Sequence, residues 1–499
     1  MSITLDSIFR DHMVIQRERK IRIFGTGQTG EKAEVSLAGK KGFGQAAEDG
    51  TWEVILEPLE AGGPYELEVK TEEKTMIVKD ILIGDVYVAA GQSNMEFLFE
   101  NTAYAESERE HASQAAFRYY KVPQVEYQKD GKEYPEIPEE GWYECSPENV
   151  GKISGVAYYC VKELRRHTDV PIGVVGCHKG GTSASCWVSE ETLKKDPEIK
   201  KIYYDDYWKD IKDQSEEEED LAIHQYQEIL AAYQKKVEEY QKQYPDRSMS
   251  QLKHDVGHTP WPGPKGKKDY GRPCGLYETM FQKIRGMRYK AILWYQGEED
   301  TKAASVYKIL LLNLIDNWRR DLDDKELPFL IMQLPNYNDD KIPFSWAVLR
   351  EQQRQAVKES EHTYLICTLG CGEEFNIHPA DKSEAGRRLG LMAAEVFYDK
   401  QVQGCAPELS KVERTEDGYC LTFDSCYGRI LSAGNSDQDL QISYDGKHFE
   451  KIKAETAQED LLIKTQRDVK VICYDWENNP EVVFTGASGL PIIPFYYEI

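Results

Sequence analysis

The stretch that decides the fold is DVYVAAGQSNM, residues 85–95. A compact apolar run is followed at once by Gly91, Gln92, Ser93 and Asn94, which is typical of a buried strand that ends in a polar turn. Open α/β sheets bind their ligands at the carboxyl ends of their strands. Ser93 therefore stands where a nucleophile would be placed, although a serine in a polar turn carries no function by itself.

Similar apolar runs recur downstream as PIGVVG, AILWYQ, LPFLIMQL and TYLICTLG. Between and after them, helical periodicity predicts helices over about 155–167, 305–322, 345–360 and 382–398. Strands that alternate with helices predict the α/β class, with a mainly parallel sheet covered on both faces.

The two ends of the chain have a different pattern, in which short segments alternate apolar and polar residues between turns. We predict an N-terminal β-sandwich domain at 1–83, a catalytic domain at 84–403 and a C-terminal β-rich region at 404–499. Within the catalytic domain, about 190–271 form an insertion, helical at first and then loop-like. It is either a solvated cap, an interface or a lid.

Composition restricts the partners. The 62 Lys and Arg residues face 87 Asp and Glu residues, a formal net charge of −25, which repels nucleic acid and anionic membrane surfaces. The sequence has no pattern of an export signal or a membrane span, and many of its eleven cysteines lie in apolar runs. We therefore expect reduced thiols, a cytoplasmic location and no nucleic-acid or membrane partner, while the oligomeric state is left open.

Three further segments place polar groups at predicted strand ends. Gly180 and Gly181 offer backbone N–H groups to a developing oxyanion, and Gln296 and Glu298 emerge together from the WYQGE segment. His378 follows a fourth strand and could serve as the base for Ser93. Four strand ends that each deliver one member of a hydrolytic set predict a serine hydrolase site.

No cofactor is predicted. His254 and His258 lack the glutamate of a zinc-binding HExxH motif, and Cys367 and Cys371 lack a second pair. Neither a GxxxxGK[ST] nor a GxGxxG fingerprint follows a predicted strand, so nucleotide chemistry has no support.

In the order and content of its GQSNM, GGT, WYQGE and IHP blocks, the sequence resembles the sialate O-acetylesterases and related carbohydrate acetylesterases of the SGNH hydrolase superfamily. The similarity extends to FRDHMVIQR, AGGPYELEV and GLPIIPF, and so covers most of the chain. It implies an SGNH-hydrolase, flavodoxin-like parallel sheet flanked by helices. It also implies a serine esterase that removes O-acetyl groups from carbohydrate through an acetyl-enzyme.

The resemblance assigns roles by position. It makes Ser93 the nucleophile and His378 the base. The oxyanion donors that it implies are the backbone N–H of Ser93, the backbone N–H of Gly180 or Gly181, and the side-chain amide of Gln296. Asn94 and Trp187 become substrate-binding candidates, although packing of Trp187 in the core is an equal alternative.

The acid that orients His378 departs from the usual pattern. Many SGNH hydrolases have an Asp three residues before the histidine, where this chain has Phe375. Glu298 is the first choice for the acid, with Glu374 as a possible helper beside Glu373. In the family the third block continues as WYQGESN, and here Glu299 replaces the Ser and Asp300 the Asn, a change that we expect at the rim of the site.

The substrate is left between alternatives. O-acetylated sialic acid would require a cation for its carboxylate, such as Arg272 or Arg350, whereas acetylated xylo- or manno-oligosaccharides need aromatic and hydroxyl partners. A non-catalytic carbohydrate-binding protein is the rival from another class. In each case the partner is a small saccharide.

Overall fold

The computed structural model describes residues 3–339, 341–432 and 440–499; residues 433–439, inside the predicted C-terminal region, lie outside the described residues. The strands of the first region are β1 (Thr4–Leu5), β2 (Val14–Gln16), β3 (Ile21–Thr26), β4 (Lys32–Leu37), β5 (Lys40–Gln45), β6 (Thr51–Leu56), β7 (Gly62–Lys70) and β8 (Thr75–Gly91).

Alternation in this region places one face of each strand in a core. In β6 the side chains of Trp52, Val54 and Leu56 are buried and the residues between them are exposed. Strands β1, β3 and β6 form one antiparallel sheet, while β5, β4 and β7 lead to β8 in a second sheet.

Strand β8 belongs to two regions at once. Its residues 75–83 pair with β7, and its residues 85–91 pair with strands of the catalytic domain. The boundary predicted at 83/84 falls inside this single strand, and the division into domains stays a prediction.

The strands of the middle region are β9 (Gln114–Lys121), β10 (Gln124–Lys129), β11 (Lys132–Ile137), β12 (Trp142–Cys145), β13 (Ile172–His178), β14 (Ala291–Tyr295), β15 (Phe329–Met332) and β16 (Thr363–Ile366). Strands β10 and β11 pair with each other in a separate antiparallel hairpin. The other strands join β8 in a sheet of order β12-β9-β13-β8-β14-β15-β16, in which neighbours are parallel except at the β12–β9 edge. The predicted α/β class with a mainly parallel sheet is thus what the chain adopts.

The helices are α1 (Ser93–Glu96), α2 (Ala105–Arg109), α3 (Gly155–Leu164), α4 (Glu190–Leu193), α5 (Pro197–Ile199), α6 (Asp206–Asp210), α7 (Glu216–Gln243), α8 (Met249–Val256), α9 (Gly275–Thr279), α10 (Tyr307–Asp321), α11 (Ser345–Glu359) and α12 (Ser383–Phe397). Helices α3, α10, α11 and α12 lie within a few residues of their predicted bounds. The third of the predicted helices starts at Ser345 as expected, and the second starts at Tyr307 because a 3₁₀ segment, Glu298–Val306, precedes it.

Both faces of the sheet are covered by helices. Tyr87 and Ala89 of β8 share a core with α3 and α12, whereas Val86, Val88 and Ala90 point to the core shared with α10 and α11. Successive strand residues face opposite sides, so an apolar strand buried on both faces is the expected result of this packing.

The insertion is helical and then loop-like, as predicted. The hydroxyls of Ser215 and Ser248 each accept a hydrogen bond from the backbone N–H three residues on, and the side chains of Glu218 and Gln251 each accept one from the backbone N–H of the serine. Capping boxes therefore begin α7 and α8. After Val256 the chain continues without regular structure until α9.

The last region is rich in strands: β17 (Glu408–Arg414), β18 (Gly418–Asp424), β19 (Ile430–Ser432), β20 (Leu440–Ser443), β21 (Phe449–Ile452), β22 (Ala454–Ala457), β23 (Asp460–Lys464), β24 (Val471–Tyr474), β25 (Phe484–Gly486) and β26 (Phe495–Glu498). They pack around a core of their own, which includes Leu421, Ile442 and Phe495. The Asn478 side chain joins this region to the catalytic domain by accepting a 3.0 Å hydrogen bond from the N–H of Trp346.

None of the helices in the described ranges combines the length and apolar character needed to cross a bilayer.

Candidate active site

Ser93 begins α1 immediately after β8 ends, at the carboxyl edge of the parallel sheet. Gly91, the last residue of the strand, has φ = 130°, and a Cβ there would lie 2.1 Å from the carbonyl oxygen of Tyr295 on β14. Only glycine permits this close approach of β8 to β14. The turn that follows leaves Ser93 half-buried.

His378 reaches Ser93 from the loop between β16 and α12. Its Nε2 lies 2.7 Å from Ser93 Oγ, so the hydroxyl can donate to a neutral imidazole. The loop is held by Asn376, whose Oδ1 accepts from the N–H of His378 at 3.1 Å and whose Nδ2 donates to its carbonyl at 2.8 Å. The sequence predicted this pair, and the fold places them in contact.

Burial lowers the pKa of His378 to about 4, and the neighbouring charges of Lys382, Lys253 and His258 act in the same direction, whereas Glu96 opposes them. The imidazole is therefore neutral over most of the physiological pH range. A neutral imidazole is the form that can take a proton from serine.

The glycine loop after β13 lies beside Ser93. A Cβ on Gly180 would lie 3.3 Å from Ser93 Cβ. The Gly180 N–H donates to Glu96 Oε2 at 2.6 Å, so this group is occupied. Among the described residues, the N–H groups of Ser93 and Gly181 have no hydrogen-bond acceptor. These two groups are available to an oxyanion.

Gln296 does not have a free N–H in this structure. Its Nε2 lies within hydrogen-bond distance of Gln92 Oε1 at 3.1 Å, the Thr182 carbonyl at 3.0 Å and Asp300 Oδ2 at 2.6 Å. An amide nitrogen has only two hydrogens. The expected donation of Gln296 to an oxyanion would require these contacts to change.

Asp300 is buried and is not at the rim, so the expectation for it was wrong. Besides Gln296, its carboxylate accepts from Ser183 Oγ at 2.6 Å and from the N–H of Ala184 at 2.9 Å. Asp300 thus ties the glycine loop to the WYQGE segment. The rim position belongs to its neighbour Glu299.

Glu298 comes close to the His378 loop without bonding the imidazole. Its Oε1 accepts from Asn94 Nδ2 at 2.5 Å, and the same Nδ2 donates to the carbonyl of Ile377 at 3.0 Å. Glu298 Oε2 is buried and has no hydrogen-bond partner among the described residues. Glu374 is exposed, and its neighbour Glu373 accepts from the N–H of Ala380 at 3.1 Å.

A buried cation completes this network. Lys382 Nζ donates to Asn94 Oδ1 at 2.7 Å. Burial raises the pKa of Glu298 to about 7 and lowers the pKa of Lys382 to about 7, and their mutual attraction works against both shifts. Asn94 is fully buried and bonded on both amide atoms, which corrects its assignment as a substrate-binding residue.

Trp187 is also fully buried, and its Nε1 donates to Thr182 Oγ1 at 3.0 Å. The alternative of a core position is therefore the one observed, and no face of this ring is open to a sugar. Arg350, one of the cations considered for a sialate carboxylate, is likewise completely buried.

The exposed tryptophan at the site is Trp261, which the sequence reasoning missed. It belongs to the insertion, and a Cβ on Gly181 would lie 2.5 Å from its ring atom Cζ2. The WPGP turn marked a loop, but no pattern in the sequence connected that loop to Gly181.

A group of side chains with possible metal ligands lies elsewhere, at His12, Asp80 and Glu144. Arg118 Nη1 lies 2.8 Å from the Asp80 carboxylate and 2.9 Å from that of Glu144. The guanidinium of Arg118 thus pairs with both carboxylates, and we interpret the group as an ion-pair network and not as a metal site.

Comparisons with known proteins give the family that part of the chain matches. Residues 263–399, which include the third and fourth blocks, match the family "Carbohydrate esterase, sialic acid-specific acetylesterase". The sialate O-acetylesterases of Mus musculus and Homo sapiens are each 24% identical to this chain, over 89% of it and 81% and 80% of their own length.

A solved structure has the same fold over almost the whole chain. A carbohydrate acetylesterase from Xanthomonas citri superposes with a TM-score of 0.78 at 24% identity, and 99% of each chain is covered.

The family match and the sialate O-acetylesterase relatives show that the chain is an esterase. Its resemblance to the sialate O-acetylesterases and related carbohydrate acetylesterases is confirmed by the family match, by these relatives and by the superposed acetylesterase structure.

Proposed function

We propose that this esterase removes O-acetyl groups from a small saccharide through an acetyl-enzyme on Ser93. The observation that carries the proposal is the 2.7 Å contact between Ser93 Oγ and His378 Nε2 beside two unoccupied N–H groups. The relatives named above are carbohydrate or sialate acetylesterases, which supports the substrate class.

The fold type belongs to the same proposal. The strands β13-β8-β14-β15-β16 stand in the spatial order 2-1-3-4-5 when numbered along the chain, which is the flavodoxin-like order. Ser93 follows the first of them, at the point where the order reverses. This position supports an SGNH-type hydrolase domain.

In the proposed mechanism, neutral His378 takes the Ser93 proton as Oγ attacks the acetyl carbonyl. The N–H groups of Ser93 and Gly181 donate to the tetrahedral oxyanion. His378 then gives its proton to the departing sugar oxygen, and water hydrolyses the acetyl-enzyme with the same base. Removing one oxyanion donor typically costs on the order of 100-fold to 1,000-fold in turnover.

Glu298 is our choice for the acid that supports the imidazolium. Its unpaired Oε2 lies in the network that includes the carbonyl of Ile377, directly before His378. Catalytic hydrogen bonds are often long in ligand-free enzymes and tighten when substrate binds.

Lys253 supports the choice of an anionic sugar over a neutral one. Its charge, like those of Lys382 and His258, lowers the pKa of His378, whereas Glu96 opposes them, and Lys382 is buried against Asn94. The Lys253 ammonium donates to Tyr233 Oη at 2.8 Å and Thr259 Oγ1 at 3.1 Å, and neither partner carries a negative charge. A sialate carboxylate would be attracted here.

Acetate release from O-acetylated sialic acid, acetylated xylo- and manno-oligosaccharides and 4-nitrophenyl acetate tests the proposal. We expect O-acetylated sialic acid to be the best sugar substrate. If a neutral oligosaccharide is the better substrate, the proposed esterase mechanism stands and the substrate is an acetylated xylo- or manno-oligosaccharide. Binding of sugars without any release would favour the carbohydrate-binding protein.

We also propose a cytoplasmic location, because the cysteines are free thiols. All eleven are free, and burial raises the pKa of deeply placed ones such as Cys160 and Cys177. Free thiols are typical of a reducing compartment.

A further inference from the structure

Trp261 is the one exposed tryptophan among the described residues, with 43% of its surface accessible. It stands on the loop of the insertion that follows α8. Its six-membered ring lies against the backbone of Gly181, where a Cβ would be 2.5 Å from Cζ2 and 2.7 Å from Cη2. A partly exposed aromatic ring therefore lies directly beside a proposed oxyanion donor.

The indole is fixed in this position from two sides. Its Nε1 donates to Glu299 Oε2 at 2.8 Å, and its ring lies 6.4 Å from that of Tyr270. Glu299 directly follows the WYQGE block, so the indole contacts the GGT block at Gly181 and the residue that comes after the third block. A ring held by a hydrogen bond and by packing loses little further entropy when a ligand stacks on it.

The same insertion also reaches the loop that carries His378. Ser250 Oγ accepts a 3.2 Å hydrogen bond from the N–H of Phe375, and the ring of His254 lies 4.8 Å from the ring of Phe375. His258 Nε2 lies 3.3 Å from Tyr337 Oη. The segment 250–261 thus runs from the base loop to the oxyanion loop and forms a wall along the site.

An acetyl group bound to Ser93 needs space for its sugar next to this wall. Sugar rings have apolar faces that pack on aromatic side chains, while ligand pockets use few polar groups to fix orientation. Trp187, the aromatic residue expected for this task, is buried.

We infer that Trp261 is the platform on which the sugar ring of the substrate rests, so that the insertion supplies a specificity-determining residue. This inference rests on the proposed esterase function. It assigns the insertion as a wall of the substrate site, in preference to a solvated cap.

The experiment compares wild type, Trp261→Ala, Trp261→Phe and Tyr244→Ala. Tyr244, an exposed aromatic residue at the end of α7, is the matched control. Each protein is assayed with the best acetylated sugar and with ethyl acetate, which has no ring to stack. Inhibition by the deacetylated sugar is measured in parallel.

We expect Trp261→Ala to lower kcat/KM for the sugar ester on the order of 10-fold, the equivalent of about 1.4 kcal/mol of lost stacking, mainly through KM. The loss with ethyl acetate should be several-fold smaller. Trp261→Phe should be intermediate, Tyr244→Ala should match wild type, and the deacetylated sugar should inhibit Trp261→Ala more weakly.

Equal losses of Trp261→Ala on both esters, or an unchanged KM for the sugar, would overturn the inference while the esterase function stands. A wild type that hydrolyses ethyl acetate but no sugar ester would overturn the proposed function together with the inference.

Discussion

Glu298 and Asn94 are joined by a 2.5 Å hydrogen bond that uses only one oxygen of the carboxylate. The other oxygen is buried without a partner among the described residues. If it supports His378 during the reaction, Glu298→Gln should lower kcat by about 100-fold or more, since a wrongly oriented base is costly. Glu374 is exposed, so Glu374→Gln should change kcat by less than about 3-fold, as is usual for a surface substitution.

The pH profile provides a second test of Glu298. Its pKa of about 7 means that the carboxylate gains its charge near neutrality. We expect kcat/KM of wild type to rise once through the His378 pKa and again near pH 7, and the second rise to be absent in Glu298→Gln. A second rise that persists in the variant would assign it to another group.

Ser93→Ala removes the proposed nucleophile. Acetate release should fall by at least about 1,000-fold, because the remaining oxyanion donors and the base cannot form an acetyl-enzyme. Ser107→Ala changes an exposed serine and should behave as wild type. Circular dichroism should show the same fold for all three proteins, and substantial release by Ser93→Ala would exclude the serine mechanism.

Lys253→Met should shift the acid limb of kcat/KM to higher pH. A positive neighbour disfavours the imidazolium and lowers the pKa of His378, so removing it raises that pKa. His378 must lose its proton to act as base, and the limb follows its pKa upward. Lys236→Met, on an exposed position of α7, should leave the limb in place; equal shifts in both variants would point to the overall charge.

The contact of Trp261 with Gly181 can be tested by a double-mutant cycle. Gly181→Ala should destabilise the protein, because alanine is strained at φ = 69° and its Cβ meets the indole. In the Trp261→Ala background the clash is gone and only the backbone strain of about 1 to 2 kcal/mol is left. Chemical denaturation measures the difference, and strictly additive costs would mean that the two residues are not in contact.

Asp300→Ala should cost about 2 to 5 kcal/mol of the free energy of unfolding, because it leaves buried donors of Ser183, Ala184 and Gln296 without their acceptor. Asp246→Ala, at an exposed site, should stay within about 0.5 kcal/mol of wild type. Thermal or urea unfolding measures both losses. A loss below about 1 kcal/mol for Asp300→Ala would contradict the prediction and would show that water accepts the hydrogen bonds in place of the carboxylate.

The sequence predicted those features that depend on local pattern. Helices α3, α11 and α12 follow from apolar periodicity, and the proximity of Ser93 to His378 follows from two strands that end at the same edge of one sheet. Both rules need only the strand direction and the alternation of side chains.

Other features depend on packing over long separations in the chain. Asn94 stands in the GQSNM block and Trp187 follows the GGT block, which made both candidates for substrate binding, but their side chains turn into the interior. Asp300 turns inward as well, to donors that lie 116 and 117 positions away. The position of Trp261 beside the site could not be predicted from the sequence, because it depends on how the insertion folds back onto Gly181.

Strand β8 completes the N-terminal sheet with one half and carries Ser93 at the end of the other. A cleavage between the two halves would separate Ser93 from the first half of its own strand. The N-terminal sheet and the segment that carries Ser93 are therefore parts of one continuous element, and neither can be removed without cutting that element.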